Sequence, residues 1–211
     1  MFCDITLKAD DILIPAHKIV LCACSPYFSA MFSGQFKERD KDVVEIEGLD
    51  GKYLRLMIDY IYTGGLHVTL ENVRSVLDVA NFLQINSAQE ICCETLSEEI
   101  KVSNCLEFME FAGKRRLKSL LNKATKCAAK HFFEILSKDE FLMLEFEEFD
   151  AFLQEKELRK YSDDIVLSAL HRWVEHDPKN RLQHLSELLC YVNPGHVTKE
   201  VIEKSEYLNT H

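Results

Sequence analysis

Near the N-terminus apolar and polar residues alternate. Ile5 and Leu7 fall on one face and Asp4 and Thr6 on the other, which predicts a strand over residues 3–7. Residues 11–14 predict its hairpin partner, with Lys8, Ala9 and Asp10 at the turn and Pro15 ending the strand. From His17 onward the period lengthens to that of a helix. Residues 17–24 predict one short helix, and Ser25-Pro26 reads as an N-cap with proline at the first helical position of a second, over 26–32. Residues 43–46 predict a third short strand. Gly48, Leu49 and Asp50 then turn the chain into a helix over 52–63, with Tyr53, Leu56, Met57, Tyr60 and Ile61 at helical spacing and Gly64-Gly65 as its stop. Two more helices follow. One carries Val73, Val76, Leu77, Ala80 and Leu83, and the next Ala88, Ile91, Cys92, Thr95 and Leu96.

Past Ile100 the pattern stays helical. Leu117, Leu120, Leu121, Ala124, Cys127, Ala128, His131, Phe132 and Ile135 form one stripe. Phe146, Phe149 and Phe152 point inward at helical spacing, with acids between them pointing out. Ser162 is placed to cap a helix with Val166, Ala169, Leu170 and Trp173 inside and Pro178 just beyond. A last helix runs through Leu185, Leu188 and Leu189. The expected fold is therefore mixed: an α/β domain over 1–101, a short β-sheet flanked by helices, followed by an all-α domain over 102–211. The low count of 7 Gly and 4 Pro agrees with a mostly helical chain.

Charge and cysteine usage narrow the function classes. A formal net charge of -10 repels a phosphate backbone, so nucleic acid is not an expected partner. The local basic cluster at Lys114, Arg115, Arg116 and Lys118 reads as a solvated helix end or a salt-bridge partner. No stretch approaches the roughly 20 apolar residues of a membrane span, and Asp4 and Lys8 interrupt any signal-peptide pattern. A cytoplasmic or nuclear location is the expectation. The eight cysteines sit mostly among apolar neighbours and read as small buried hydrophobes, not as a disulfide framework. Cys22 and Cys24 diverge on a helix, Cys92 and Cys93 are adjacent, and no Cys-x-x-Cys pair occurs, so no metal site is expected. Cys127 and His131 share a helix face at i, i+4, but on the apolar stripe, where they read as packing and not as a nucleophile and its base. No catalytic residue and no cofactor are expected.

Four segments carry a resemblance. Phe2-Cys3-Asp4-Ile5-Thr6-Leu7, Pro15-Ala16-His17-Lys18, Ser25-Pro26-Tyr27-Phe28-Ser29-Ala30-Met31-Phe32 and Tyr60-Ile61-Tyr62-Thr63-Gly64, in this order and spacing, resemble the BTB (POZ) family. Asn104-Cys105-Leu106, Phe141-Leu142, Val166, Ala169, Trp173, Asp177, Arg181 and Leu188-Leu189 resemble the BACK domain that follows BTB in kelch-like proteins.

This resemblance implies a non-enzymatic, homodimeric adaptor that binds cullin-3 and positions a substrate receptor for ubiquitination. The protein substrate would be recognised by a domain absent from this chain. The family's cullin signature corresponds to Phe36-Lys37-Glu38, with Phe36 as an aromatic anchor and Glu38 as a hydrogen-bond acceptor. Tyr27, Met57 and Tyr62 match positions on the cullin-facing surface. Asp4 and Lys18 match the family's charged pair, whose buried carboxylate needs a partner. With Ile5 and Leu7 they are expected to support fold and dimer. A BTB oligomerisation or corepressor-binding module in transcriptional regulation is the alternative. Two departures stand out. The chain starts almost at the first strand, where related proteins have a helix. After Val192 it has Asn193-Pro194-Gly195 in place of a basic residue and a proline-leucine run.

Overall fold

The computed structural model describes residues 3–33 and 41–199. The chain divides into two compact units, Met1–Glu98 and Glu99–His211.

The first unit is built on a three-stranded sheet of order β2-β1-β3. Strands β1 (Ile5–Ala9) and β2 (Ile12–Ala16) are antiparallel, with Ala9 opposite Ile12 and Thr6 opposite Pro15. The turn falls at Asp10 and Asp11, two residues later than the pattern of side chains suggests. Asp10 takes a left-handed φ of 50, which aspartate tolerates better than most residues. Pro15 does not end the strand. It lies within β2, an edge strand, where a missing N–H costs no ladder bond. Strand β3 (Val43–Glu45) runs parallel to β1, with Leu7 opposite Val44. Ile5, Leu7 and Ala9 are buried and Thr6 and Lys8 half-buried, so the alternation holds.

Helices α1 (Lys18–Cys24) and α2 (Pro26–Ser33) meet at buried Ser25. Its hydroxyl accepts the Phe28 N–H at 3.2 Å and donates to the Leu83 carbonyl at 2.6 Å. Helix α3 (Gly51–Thr63) is capped by Asp50, which accepts the Lys52 N–H at 2.8 Å, and is stopped by Gly64 at φ 73. Gly51 is required where it stands, because a Cβ there would lie 2.5 Å from the Ala9 carbonyl oxygen. That close approach turns Gly51, Leu54, Met57 and Ile58 inward and leaves Tyr53, Leu56, Tyr60 and Ile61 half-buried. Helices α4 (Val73–Phe82) and α5 (Asn86–Ser97) bury Val73, Val76, Leu77, Ala80, Ala88, Cys92 and Leu96. Ile91 and Thr95 stay half-buried, and Cys93 is buried in their stead.

The second unit is helical throughout its described residues. Helices α6 (Cys105–Lys114), α7 (Lys118–Lys130), α8 (Phe132–Leu136), α9 (Phe146–Leu153), α10 (Asp163–His176), α11 (Pro178–Arg181) and α12 (Leu185–Leu188) are joined by short 3-10 turns, among them Asp139–Met143 and Lys156–Lys160. Phe132, Phe141, Phe149, Phe152 and Trp173 form an aromatic core, with Phe149 stacked on Trp173 at 4.7 Å. The stripe over 117–135 is two helices. The backbone breaks at His131 (φ -116, ψ 38), so its ring leaves the apolar face, is exposed, and places Nδ1 3.0 Å from the Cys127 carbonyl oxygen. The basic cluster lies at the α6 end, where Lys114 pairs with Glu110 and the Arg115 guanidinium lies 4.2 Å over the Phe111 ring.

Helix α9 starts with a reciprocal pair of caps between Glu145 and Glu148. The Glu145 N–H donates to Glu148 Oε2 at 2.6 Å. Glu148 is buried in the space a side chain at Gly113 would need. Burial raises its pKa above the ordinary 4.5, and neighbouring Glu145, Glu147 and Glu110 add to the rise, against the lowering effect of the Glu145 N–H. An acid whose pKa is higher in the folded state makes folding take up a proton. Stability is then greatest below the unfolded value and falls as pH rises through the folded one. Glu148→Gln keeps an acceptor and removes the charge. Its stability relative to the native chain should therefore rise as pH increases from the ordinary carboxylate range toward neutrality. Thermal melts across that range check this, and a constant difference would show that burial does not destabilise the carboxylate.

Candidate functional site: a protein-interaction surface

The surface expected to meet a partner is built from the first unit's helices. Phe36 and Glu38 lie outside the described residues. Tyr27, on α2, is half-buried, with its ring packed on Phe28 at 5.4 Å and on Phe82 at 4.8 Å. Tyr62, near the end of α3, is 44% exposed. Its hydroxyl accepts the His17 N–H at 2.8 Å and lies 2.8 Å from His17 Nδ1. Partial burial raises the Tyr62 pKa, while the His17 N–H opposes the rise. This pair ties the last turn of α3 to the residue that precedes α1.

Met57 is a correction. It is 0% exposed, inside the core with Leu54 and Ile58, so its side chain offers a partner nothing. The same helix carries Met57 inward.

Asp4 and Lys18 are brought together, though not as a buried ion pair. Asp4 is exposed, and its Oδ1 accepts the backbone N–H of Lys18 at 2.8 Å. The carboxylate thereby caps α1, whose own N-cap residue His17 makes no side-chain capping bond. The Lys18 ammonium donates to the Lys41 carbonyl at 3.3 Å and lies 5.6 Å over the Phe32 ring. Ile5 and Leu7 are buried beneath, in the sheet.

The pattern of residues pointed to Ser25 as the cap of α2, which its bond from the Phe28 N–H bears out, but not to its tie to Leu83 or to His17 as an organising group, since those partners lie far along the chain. It also did not separate Ile19, which is 77% exposed, from the rest of the apolar run 19–24. Two buried cysteines are poor nucleophiles. Burial pushes the Cys92 thiol up to about 12, helped by Cys93, and the Cys105 thiol up to about 11, helped by Cys127. Both stay protonated at neutral pH and are inert as nucleophiles. Among the described residues no group of three or more His, Cys, Asp or Glu side chains is placed to hold a metal ion. No described helix is long and apolar enough to cross a membrane.

Comparison with known proteins fits this arrangement. A BTB/POZ domain family model matches residues 1–100, and the BACK model (BTB And C-terminal Kelch) matches 105–206. The chain belongs to the BTB–BACK family. Kelch-like protein 2 of Rattus norvegicus is 39% identical over 192 residues, which cover 91% of this chain and 32% of that protein. Kelch-like protein 2 of Homo sapiens is 38% identical, with the same shares covered. Kelch-like protein 3 of Homo sapiens is 36% identical over 91% of this chain and 33% of that protein. This BTB–BACK chain thus spans about a third of the length of the curated relatives it matches. Among solved structures, the BTB domain of zebrafish PATZ1 is 35% identical, covering 46% of this chain and 78% of that one, with a TM-score of 0.42. The family is one of adaptors that work through contacts with other proteins.

The two helix-α3 residues should respond differently to truncation. Met57→Ala empties a core position and should cost about 2–5 kcal/mol of stability. Tyr62→Phe removes one exposed hydroxyl contact and should cost about 1 kcal/mol. Denaturant titration of both variants checks the order, and equal losses would contradict it.

Proposed function

We propose that this BTB–BACK chain is a non-catalytic, dimeric adaptor that binds cullin-3 through its BTB unit and positions a substrate receptor for ubiquitination. The observation that carries the reading is the tandem of BTB and BACK domains, shared over 91% of the chain with kelch-like proteins 2 and 3. The order of residues supports it. Phe36-Lys37-Glu38 follows α2 and precedes β3, where the family's cullin signature falls. A phenylalanine there can fill an apolar pocket, and a glutamate two residues on can accept hydrogen bonds from the partner. Tyr27 and Tyr62, both at least partly exposed, extend the surface.

Calorimetric titration with the N-terminal domain of cullin-3 tests the reading. The native chain should bind, and the double variant Phe36→Ala, Glu38→Ala should bind at least about 30-fold more weakly, as loss of a central anchor worth 2 kcal/mol requires. Equal binding by the variant would move the site elsewhere. No binding by the folded native chain would remove the ligase reading.

Dimerisation is tested separately. Ile19 on α1 and Val43 on edge strand β3 are 77% and 51% exposed, apolar groups that a second copy would cover. Light scattering at micromolar concentration should give twice the chain mass of 24.5 kDa, and Ile19→Asp should lower it. A single-chain mass for the native protein would rule the dimer out and leave cullin binding to be judged on its own titration.

A further inference from the structure

A groove of about 630 Å³ runs in the second unit between α7 and the turn Lys156–Lys160. Lys118, Lys126 and Lys130 reach it from α7 and Lys156 from the opposite wall. Three other lysines of this unit are paired within their own helical turns: Lys114 with Glu110, Lys138 with Glu134, and Lys160 with Glu157. None of the four groove lysines ends in an ion pair among the described residues. Lys126 and Lys130 stand at i, i+4, a spacing at which like charges repel. Of the two carboxylates of the groove, Glu157 meets Lys160 at 3.1 Å and Glu155 lies 3.2 Å from the Thr125 hydroxyl. The groove therefore presents four cations against two anions, in a chain whose formal net charge is -10.

We infer that this groove between α7 and the 156–160 turn is a docking site for an acidic peptide segment of a partner protein. The charge is complementary to such a segment, and the rest of the lining suits a peptide. Leu121 and Ala151 give an apolar floor, while the Asn122 amide can bond a main chain; the Gln154 amide already donates to Asp150 at 2.6 Å. From Lys118 to Lys130 the helix rises about 18 Å, which matches about five residues of extended chain. A nucleic acid is the competing polyanion, and the oligonucleotide arm of the test separates it from a peptide. The inference stands on the second unit alone and is independent of cullin binding.

The test uses the full chain, a fluorescein-labelled oligoglutamate peptide and its oligoglutamine counterpart, read by anisotropy and by amide NMR shifts. Oligoglutamate should bind, weaken as salt is raised, and shift amides of residues 118–130 and 151–157. The triple variant Lys126→Ala, Lys130→Ala, Lys156→Ala should keep its melting curve and lose at least about tenfold in affinity, the sum of three exposed ionic contacts. Four outcomes would overturn the inference: equal binding of oligoglutamine, unchanged affinity in the triple variant, shifts centred outside the groove, or tighter binding of a single-stranded oligonucleotide than of the peptide. Self-association of the chain that is abolished by the same three substitutions would assign the groove to a second copy and overturn it as well.

Discussion

Every helix leaves up to four N–H groups at its start and four carbonyls at its end without partners. A chain cut into helices as short as these has many such ends, and most cannot be left to water once the units close. Satisfying them fixes how the pieces fit. Ser25 is the plainest case. One buried hydroxyl caps the start of α2 through Phe28 and takes the carbonyl of Leu83 at the end of α4, so two helix ends distant in sequence are fastened at one atom. Asp4 does the same from the sheet, capping α1 at Lys18. Losing the Ser25 hydroxyl would strand a buried donor and a buried acceptor, which costs more than the bond itself contributes, whereas water can replace exposed Asp4.

Both units reuse one local device. Asn72 precedes α4 and Asn104 precedes α6, and neither caps its helix forward. Asn72 accepts the Thr69 N–H and donates to the His67 carbonyl. Asn104 accepts the Lys101 N–H and donates to the Glu99 carbonyl. In each case the amide closes the loop leading into the helix, three and five residues back. In the second unit charged donors take the remaining carbonyls. Arg181 donates to Trp173 and Leu142, both at 2.8 Å, with its guanidinium 4.3 Å over the Trp173 ring, while Trp173 Nε1 donates to Leu144 at 2.8 Å. Lys138 reaches Val102, and Arg172 reaches Leu136. Arginine suits this work because its planar fork can serve two carbonyls and stack at once.

This explains what could be read from the residues and what could not. Apolar spacing is a local property, so the sheet strands, α4, α5 and the aromatic face of α9 were legible. Which side of α3 is buried was not, because Tyr53, Leu56 and Tyr60 compete with Leu54 and Ile58 at the same period. The choice is made by Gly51 against Ala9, a contact between residues 42 apart in sequence. Met57 lay on the apolar stripe, and only the family resemblance placed it on the surface. The break at His131 was hidden because the apolar stripe continues through it. Ser25 and Arg181 work through partners 58 and 39 residues away, and no periodicity signals such a pairing.

The same accounting bears on the segment after Val192, where Asn193-Pro194-Gly195 replaces the family's usual run. Ser162 sits at the N-cap position of α10, yet its hydroxyl makes no capping bond. The first turn instead carries Asp163 and Asp164, whose charges suit the positive end of the helix dipole. Their oxygens turn toward the later chain. Asp163 accepts the Asn193 N–H at 3.0 Å and contacts His196 Nδ1 at 3.1 Å, and Asp164 accepts the Thr198 N–H at 2.8 Å. Asn193 in turn accepts the Gly195 N–H at 3.1 Å, closing the Pro194–His196 turn. The altered residues therefore form a compact turn whose donors are matched to acidic acceptors already placed by α10, and the helix start is stabilised by charge instead of by the serine.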